Sequence, residues 1–175
     1  MNSRMIALFI NFLVVFPITS VAQASTHNTI YDFAFPGTGD GMQPLSVPVL
    51  DSKGNLYATT MLGGTRNAGT IFELSPTGNN QWVETILHEF TGGTDGGYPL
   101  AGLTLDSSGN LYGTGGGGGA NGTGVVFELS PQSTGWSYTV LYSFGRYPTS
   151  GDGFAPNSRS VKIIIRASIH AARAS

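Results

Sequence analysis

The chain repeats itself at a fixed interval. Asp51-Ser-Lys-Gly-Asn-Leu-Tyr-Ala-Thr-Thr60 returns as Asp106-Ser-Ser-Gly-Asn-Leu-Tyr-Gly-Thr-Gly115, and Gly69-Thr-Ile-Phe-Glu-Leu-Ser-Pro76 returns as Gly124-Val-Val-Phe-Glu-Leu-Ser-Pro131, both at an offset of 55. A third block, Ile86-Leu-His-Glu-Phe90, returns as Val140-Leu-Tyr-Ser-Phe144 at an offset of 54, and Ile30-Tyr-Asp-Phe33 is a partial earlier copy. An Asp-Gly pair follows each copy, at Asp40-Gly41, Asp95-Gly96 and Asp152-Gly153. Self-similarity at such a period means that each copy is one supersecondary unit relying on its neighbours for burial.

Within each copy the pattern predicts four short strands. In the second full copy these are 101–105, 110–114, 125–130 and 137–144; in the first, 47–51, 55–60, 70–75 and 82–90. Asp106-Ser-Ser-Gly109 reads as a tight turn, in which Asp bonds the backbone ahead of it and Gly takes positive φ. Turn signals every 8–12 residues between short apolar runs indicate all-β structure. The strands are apolar on both sides of the pleat. Phe72 and Leu74 point one way and Ile71 the other; alternation puts Val140, Tyr142 and Phe144 together, opposite Leu141. A sheet with one wet face would alternate cleanly, so these sheets are expected to be covered on both faces by stacking on each other.

The ends differ from the body. Arg4, the apolar run Met5–Val15, Pro17 and Ala22-Gln23-Ala24 have the three parts of a secretory signal peptide, here a signal helix, with cleavage expected after Ala24. The expected organisation is therefore a signal segment over 1–24, a β-repeat region over 25–156, and an atypical basic tail over 157–175. In the repeat region a partial copy spans about 30–46, and full copies span about 47–100 and 101–156. Localisation is expected to be secreted, periplasmic or at the cell surface.

Charge limits the partners. Charged residues make up only 10% of the chain, against about 25% in an average globular protein. Between Ser25 and Phe144 there are nine acidic residues and two basic ones, Lys53 and Arg66. An acidic body lacks the clustered Lys and Arg that phosphate binding needs, which argues against nucleic acid. With no cysteine, disulfides, thiolate catalysis and Cys-ligated zinc are excluded.

Candidate chemistry is sparse, and no catalytic residue, metal ligand or cofactor is assigned. The glycine run from Gly113 to Gly124 has no Gly-Lys-Ser/Thr and precedes a strand rather than a helix, so it reads as a flexible strand connection and not a phosphate loop. The Asp-Gly loops lack the Asp-x-Asp-x-Asp-Gly array of a calcium loop, and their recurrence points to a turn requirement. His88 lies in a strand with no Gly-x-Ser-x-Gly elbow anywhere. Trp82 and Trp136 precede the fourth strand of their copies and suit packing between repeats, with stacking on sugar rings as the alternative. The loop candidates for binding are Asp40, Asp95, Asp152, Trp82 and Trp136.

Gly-Asn-Leu-Tyr-(Ala/Gly)-Thr, Gly-(Thr/Val)-(Ile/Val)-Phe-Glu-Leu-Ser-Pro and Leu-(His/Tyr)-x-Phe followed by Asp-Gly together resemble the GloVer repeat, a bacterial tandem-repeat family, over about Ile30 to Pro156. The resemblance implies a secreted or surface-anchored protein whose repeat is similar to a β-propeller blade, and it implies no catalytic residues. About two copies make an incomplete propeller, since closed ones have about 4–8 blades. From Asn157 to Ser175 the repeat pattern stops; we expect a chain cut short, by a frameshift, with a non-native tail, the alternative being a short amphipathic helix. A marginal monomer that self-associates through open sheet faces is expected with it. The functional expectation is an extracellular module that binds protein or polysaccharide, or is structural; the alternative is a fragment of a larger propeller lyase or hydrolase acting on extracellular polysaccharide.

Overall fold

The computed structural model describes residues 28–33, 39–145, 151, 153 and 155–156; the expected signal segment, Asp152 and the basic tail lie outside them. Among the described residues there is no helix. There are ten strands: β1 (Gly41–Met42), β2 (Val49–Leu50), β3 (Leu56–Thr60), β4 (Leu62–Gly63), β5 (Thr70–Gly78), β6 (Gln81–Glu89), β7 (Thr104–Leu105), β8 (Leu111–Gly115), β9 (Val125–Pro131) and β10 (Trp136–Ser143).

Each full copy forms one four-stranded antiparallel sheet. The first runs β2-β3-β5-β6 and the second β7-β8-β9-β10, each strand beside its sequence neighbour in the sheet. The registers are equivalent: Tyr57 pairs with Glu73 as Tyr112 pairs with Glu128, and Ala58 with Phe72 as Gly113 with Phe127. The different offset of the third block arises in the β5–β6 turn. Asn79 and Asn80 both take positive φ (51° and 58°) between the paired residues Gly78 and Gln81, the geometry of a two-residue hairpin whose twist matches its strands. The second copy replaces it with a different turn, closed by Gln132 N–H donating to Gly135 C=O at 2.9 Å.

The two sheets stack face to face in the same sense. One face of the first sheet (Tyr57, Ile71, Leu87) and Phe90 beyond it meet Leu111, Phe127, Leu129, Trp136 and Val140 of the second in a single core. The opposite face of the second sheet gathers Tyr112, Val126, Leu141 and Phe144, and Val126 is fully buried. On the first sheet the opposite face carries Ala58, Phe72 and Leu74, and Tyr31 and Phe33 of the partial copy lie on it. Phe33 meets Phe72 edge-on at 5.1 Å, and Phe90 meets Phe127 in the same way at 5.4 Å. The partial copy and the first full copy therefore each end by laying an aromatic ring on the next copy's sheet.

Strict alternation fails in the fourth strands. The register shifts between Val140 and Tyr142, and between Ile71 and Phe72 opposite Ile86 and His88. The extra residues are Leu87 and Leu141. A bulge puts two residues against one and flips the faces beyond it. Phe144 consequently joins Leu141 and Val126 rather than Val140, which corrects the face assignment made from alternation alone.

The loops between sheets are also copied. Gln43, Tyr98 and Ala155 each precede a proline with positive φ (59°, 53° and 45°). Such a conformation costs a non-glycine residue about 1–2 kcal/mol. Here hydrogen bonds offset it: Tyr98 N–H donates to Ala68 C=O at 2.7 Å and Tyr98 C=O accepts from Gly116 N–H at 3.1 Å; Ala155 N–H likewise reaches Thr123 C=O at 2.8 Å. Gly69 and Gly124 are the floor of this docking. Their φ values are +98° and +112°, and a Cβ would lie 2.7 and 2.6 Å from Pro99 and Pro156 Cδ.

Because the sheet-to-sheet core centres on Phe127, Phe127→Ala is expected to cost about 3–5 kcal/mol of unfolding free energy, measured by urea denaturation. Val83→Ala, at a side chain 52% exposed on β6, should stay within about 0.5 kcal/mol. Equal shifts for the two would mean that the sheets do not stack.

Candidate functional site

The recurring polar residues converge at the β2–β3 and β7–β8 hairpins. Asp51 Oδ1 accepts the backbone N–H groups of Lys53 (2.8 Å) and Asn55 (2.9 Å); its Oδ2 accepts Asn55 Nδ2 (3.0 Å) and the Tyr57 hydroxyl (3.2 Å). Asp106 repeats this with Ser108 (2.8 Å), Asn110 (2.9 Å from both its nitrogens) and Tyr112 (3.2 Å). The same hydroxyls share that one proton with Glu73 (3.4 Å) and Glu128 (3.0 Å) across the sheet. Burial works against charge at both aspartates, but the N–H groups of Asn55 and Lys53, and of Asn110 and Ser108, outweigh it and hold both carboxyls below the usual range. Burial, with the facing Glu73 and Asp51, pushes Tyr57 up to about 12, and Tyr112 is raised in the same way. The phenols stay protonated donors. Asp, Asn, Tyr and Glu thus lock a turn to a sheet, and none of them is poised to move a proton to a substrate.

A second cluster forms at each junction between copies. At the first, the Tyr31 hydroxyl reaches Glu84 Oε2 at 2.8 Å and Asp40 Oδ2 at 3.4 Å. At the second, His88 stacks flat on Tyr138 (3.8 Å, 3°) and its Nε2 lies 3.4 Å from Asp95 Oδ2, while the Tyr138 hydroxyl donates to Asp95 C=O at 2.5 Å. Asp95 also closes its own loop, accepting from Thr91 N–H (2.9 Å) and from the Thr91 hydroxyl. Tyr31 corresponds to His88, Asp40 to Asp95 and Glu84 to Tyr138, so one geometry carries two chemistries. Burial lowers the His88 pKa, and Asp95 opposes it only in part. Burial raises Tyr138, which the Asp95 charge reinforces.

Of the loop candidates, Asp40 and Asp95 lie in these junctions and Asp152 falls outside the described residues. Trp82 packs on the Ala58–Phe72–Leu74 cluster, and Trp136 packs in the sheet-to-sheet core with its ring edge-on to Tyr57 at 5.9 Å. Sequence reasoning missed Tyr31, Glu84, His88 and Tyr138 as a set. The available signal was the aligned offset of the fourth strands, which places Glu84 over Tyr138. The glycine run, expected to be a flexible strand connection, begins inside β8 at Gly113–Gly115, and the rest joins β8 to β9 with its backbone held: Gly117 and Gly119 N–H donate to Gly97 and Gly93 C=O at 3.1 and 2.8 Å.

Between the two hairpins a cleft of about 670 Å³ opens. Leu50, Lys53, Tyr57, Glu73, Asp106 and Trp136 line it, with Ser107 and Ser108 at its rim. Among the described residues, no group of three or more His, Asp or Glu is placed to hold a metal ion.

Stacked, equivalent four-stranded sheets with copied turns and junctions define an all-β tandem-repeat protein. The family model of the Gloeobacter/Verrucomicrobia repeat matches residues 14–163. The chain belongs to that family. Comparison with curated proteins and with solved structures gave no match.

The two clusters make separate predictions. Asp106→Ala removes four hydrogen bonds to a carboxylate and should lower stability by at least about 1.5–3 kcal/mol, read from urea midpoints; no change would make the turn self-sufficient. His88 takes up a proton less readily folded than unfolded, so its stabilisation is complete above its ordinary value of 6.5 and declines as pH falls below it. His88→Tyr, which installs the residue found at position 31, should therefore gain on the parent protein between pH 7 and pH 5 in thermal unfolding. A constant difference would detach His88 from that acid loss.

Proposed function

We propose that the chain is a non-enzymatic module of the cell exterior that binds neutral polysaccharide at the cleft between adjacent repeats, each four-stranded sheet acting as a propeller-type blade. One observation carries this reading above the rest: the polar residues that recur between copies are bonded to one another. Asp51, Asn55, Tyr57 and Glu73 hold a hairpin to its sheet, as do their counterparts. A chain whose repeated carboxylates hold its own turns together offers recognition surfaces rather than reacting groups, and such surfaces sit on loops carried by a rigid scaffold. Blade character is supported by the consecutive strand order of each sheet and by stacking in one sense. Export is supported by Arg4, the apolar run after it and Ala22-Gln23-Ala24.

The cleft suits sugars chemically. Half-buried Trp136 supplies aromatic wall, while Ser107, Ser108 and Lys53 supply hydroxyl-bonding groups. Amphipathic rings of this kind present an apolar face beside a polar tip, and small-molecule sites pair an apolar lining with a few placed polar groups. The test is affinity electrophoresis of the full chain through gels containing neutral polysaccharide, with reducing ends assayed in parallel. Retardation without depolymerisation is expected, and Ser107→Trp at the rim should abolish it while leaving the unfolding midpoint unchanged. Release of reducing or unsaturated ends, lost in Asp95→Asn, would replace this reading with that of a lyase or hydrolase fragment. Unretarded migration in every gel would remove the polysaccharide.

A further inference from the structure

The two junctions share one geometry, yet only the first places two carboxyl groups on one hydroxyl. Glu84 on β6 and Asp40 in the crossing loop both reach the Tyr31 hydroxyl, at 2.8 and 3.4 Å. Glu84 Oε1 is buried without a hydrogen-bond partner of its own in that arrangement. The partial copy is held on the first sheet through the same residues. Tyr31 and Phe33 lie on Phe72, Gly41–Met42 pairs with Leu62–Gly63, Gly64 N–H donates to Asp40 C=O at 2.9 Å, and Met61 N–H donates to Gln43 C=O at 3.1 Å.

We propose that Tyr31, Asp40 and Glu84 form an acid-tightened latch that fastens the partial copy to the first sheet when Glu84 is protonated and loosens when both carboxyls are charged. Two like charges against one hydroxyl occur at the hairpins too, but there backbone N–H groups hold the aspartate charged. Glu84 has a buried oxygen with no donor, so joint ionisation is disfavoured and a shared proton turns the repulsion into a hydrogen bond. The titratable groups facing Glu84 are Tyr31 from the 28–33 segment and Asp40 from the loop; its cross-strand neighbour on β5 is the apolar Leu74. Tyr31 remains a donor throughout, since burial and then Glu84 raise its pKa. Burial pushes Glu84 up to about 7, Tyr31 opposes this, and Asp40 adds to it.

The direction follows from linkage. The closed latch holds the Glu84 proton more tightly than the open one, so closure is strongest below the ordinary value of 4.5, weakens as pH rises toward about 7, and levels off above that. Each unit of that window changes the closing equilibrium up to tenfold, on the order of a hundredfold in all. The second junction has no such pair: Tyr138 stands in place of Glu84, and His88 moves in the opposite direction.

Native-state amide exchange on the full chain tests this, with protection corrected for intrinsic exchange. The amides of Met61 and Gly64 report the first junction, and those of Gly116 and Gly117, bonded to Tyr98 and Gly97 C=O, report the second. Protection at Met61 and Gly64 is expected to fall on the order of a hundredfold between pH 4.5 and 7, without a parallel fall at Gly116 and Gly117. Glu84→Gln keeps an acceptor for Tyr31 and a donor for Asp40, so its protection should be flat across the window. Asp40→Asn keeps the loop acceptor but removes the like charge, and should shrink the fall. A flat profile in the parent protein, or an undiminished fall in Glu84→Gln, would overturn the latch.

Discussion

Everything in this structure depends on one contact: an aromatic ring at the end of one copy laid edge-on against a phenylalanine at the centre of the next sheet. Phe33 on Phe72 and Phe90 on Phe127 are the two instances among the described residues. A four-stranded sheet that is apolar on both faces cannot be stable alone, and burial of a phenylalanine contributes about 1.5–3 kcal/mol before any specific ring geometry. The ring arrives only if the facing of the fourth strand is reversed while its backbone stays paired, Phe90 N–H donating to Gly69 C=O and Phe144 N–H to Gly124 C=O, both at 3.0 Å. The bulges at Leu87 and Leu141 accomplish that reversal, since they flip the faces that follow. After the ring the chain must cross to the next sheet, whose first strand starts at Thr104, well beyond Phe90. The positive-φ residue before each proline, seated over Gly69 or Gly124, is the local conformation that permits it.

Repetition inside a single chain separates structural from functional demand without recourse to other proteins. Residues identical in both copies at equivalent places (Asp, Asn and Tyr of the hairpin, Glu of the third strand) all proved to be bonded to each other. Buried polar groups are costly unless satisfied, so a turn that buries a carboxylate must bring its full set of donors at every recurrence. Positions that differ between copies carry no such requirement. Lys53 against Ser108 at the cleft is one, and the junction residues are others. Recognition is to be sought among side chains outside that network, because the recurring carboxylates are occupied.

Much of this was legible in the sequence, and its limits have physical causes. Strand positions followed from alternation and turn chemistry, which are local. The hairpin aspartates were readable because an Asp three residues before Gly and four before Asn has a local hydrogen-bonding solution. The face of Phe144 was not readable, since a bulge shifts side chains by one position and leaves no residue signature of its own in Val140-Leu-Tyr-Ser-Phe144. The junction clusters were invisible for a different reason. Tyr31, Asp40 and Glu84 lie up to 53 residues apart in sequence and meet only because sheets stack in one direction. His88 is likewise held by a residue distant in sequence, Tyr138, and by Asp95, beside its neighbour Phe90.

The junctions show what such an array holds fixed and what it leaves free. Tyr31 with Glu84 forms a hydrogen bond from phenol to carboxyl; His88 with Tyr138 forms a flat stack. Each pair leaves one buried atom, Glu84 Oε1 or His88 Nε2, without a hydrogen bond. A histidine opposite Glu84 would exchange the phenol donor for an imidazole N–H, and a tyrosine opposite Tyr138 would give up the imidazole that faces Asp95. The two positions meet across the junction although each belongs to a different copy, while the Asp-Gly loop beneath them recurs. Adjacent sheets can thus be joined by the same backbone with different polar chemistry. The response of a junction to pH is then a property of the junction, not of the repeat.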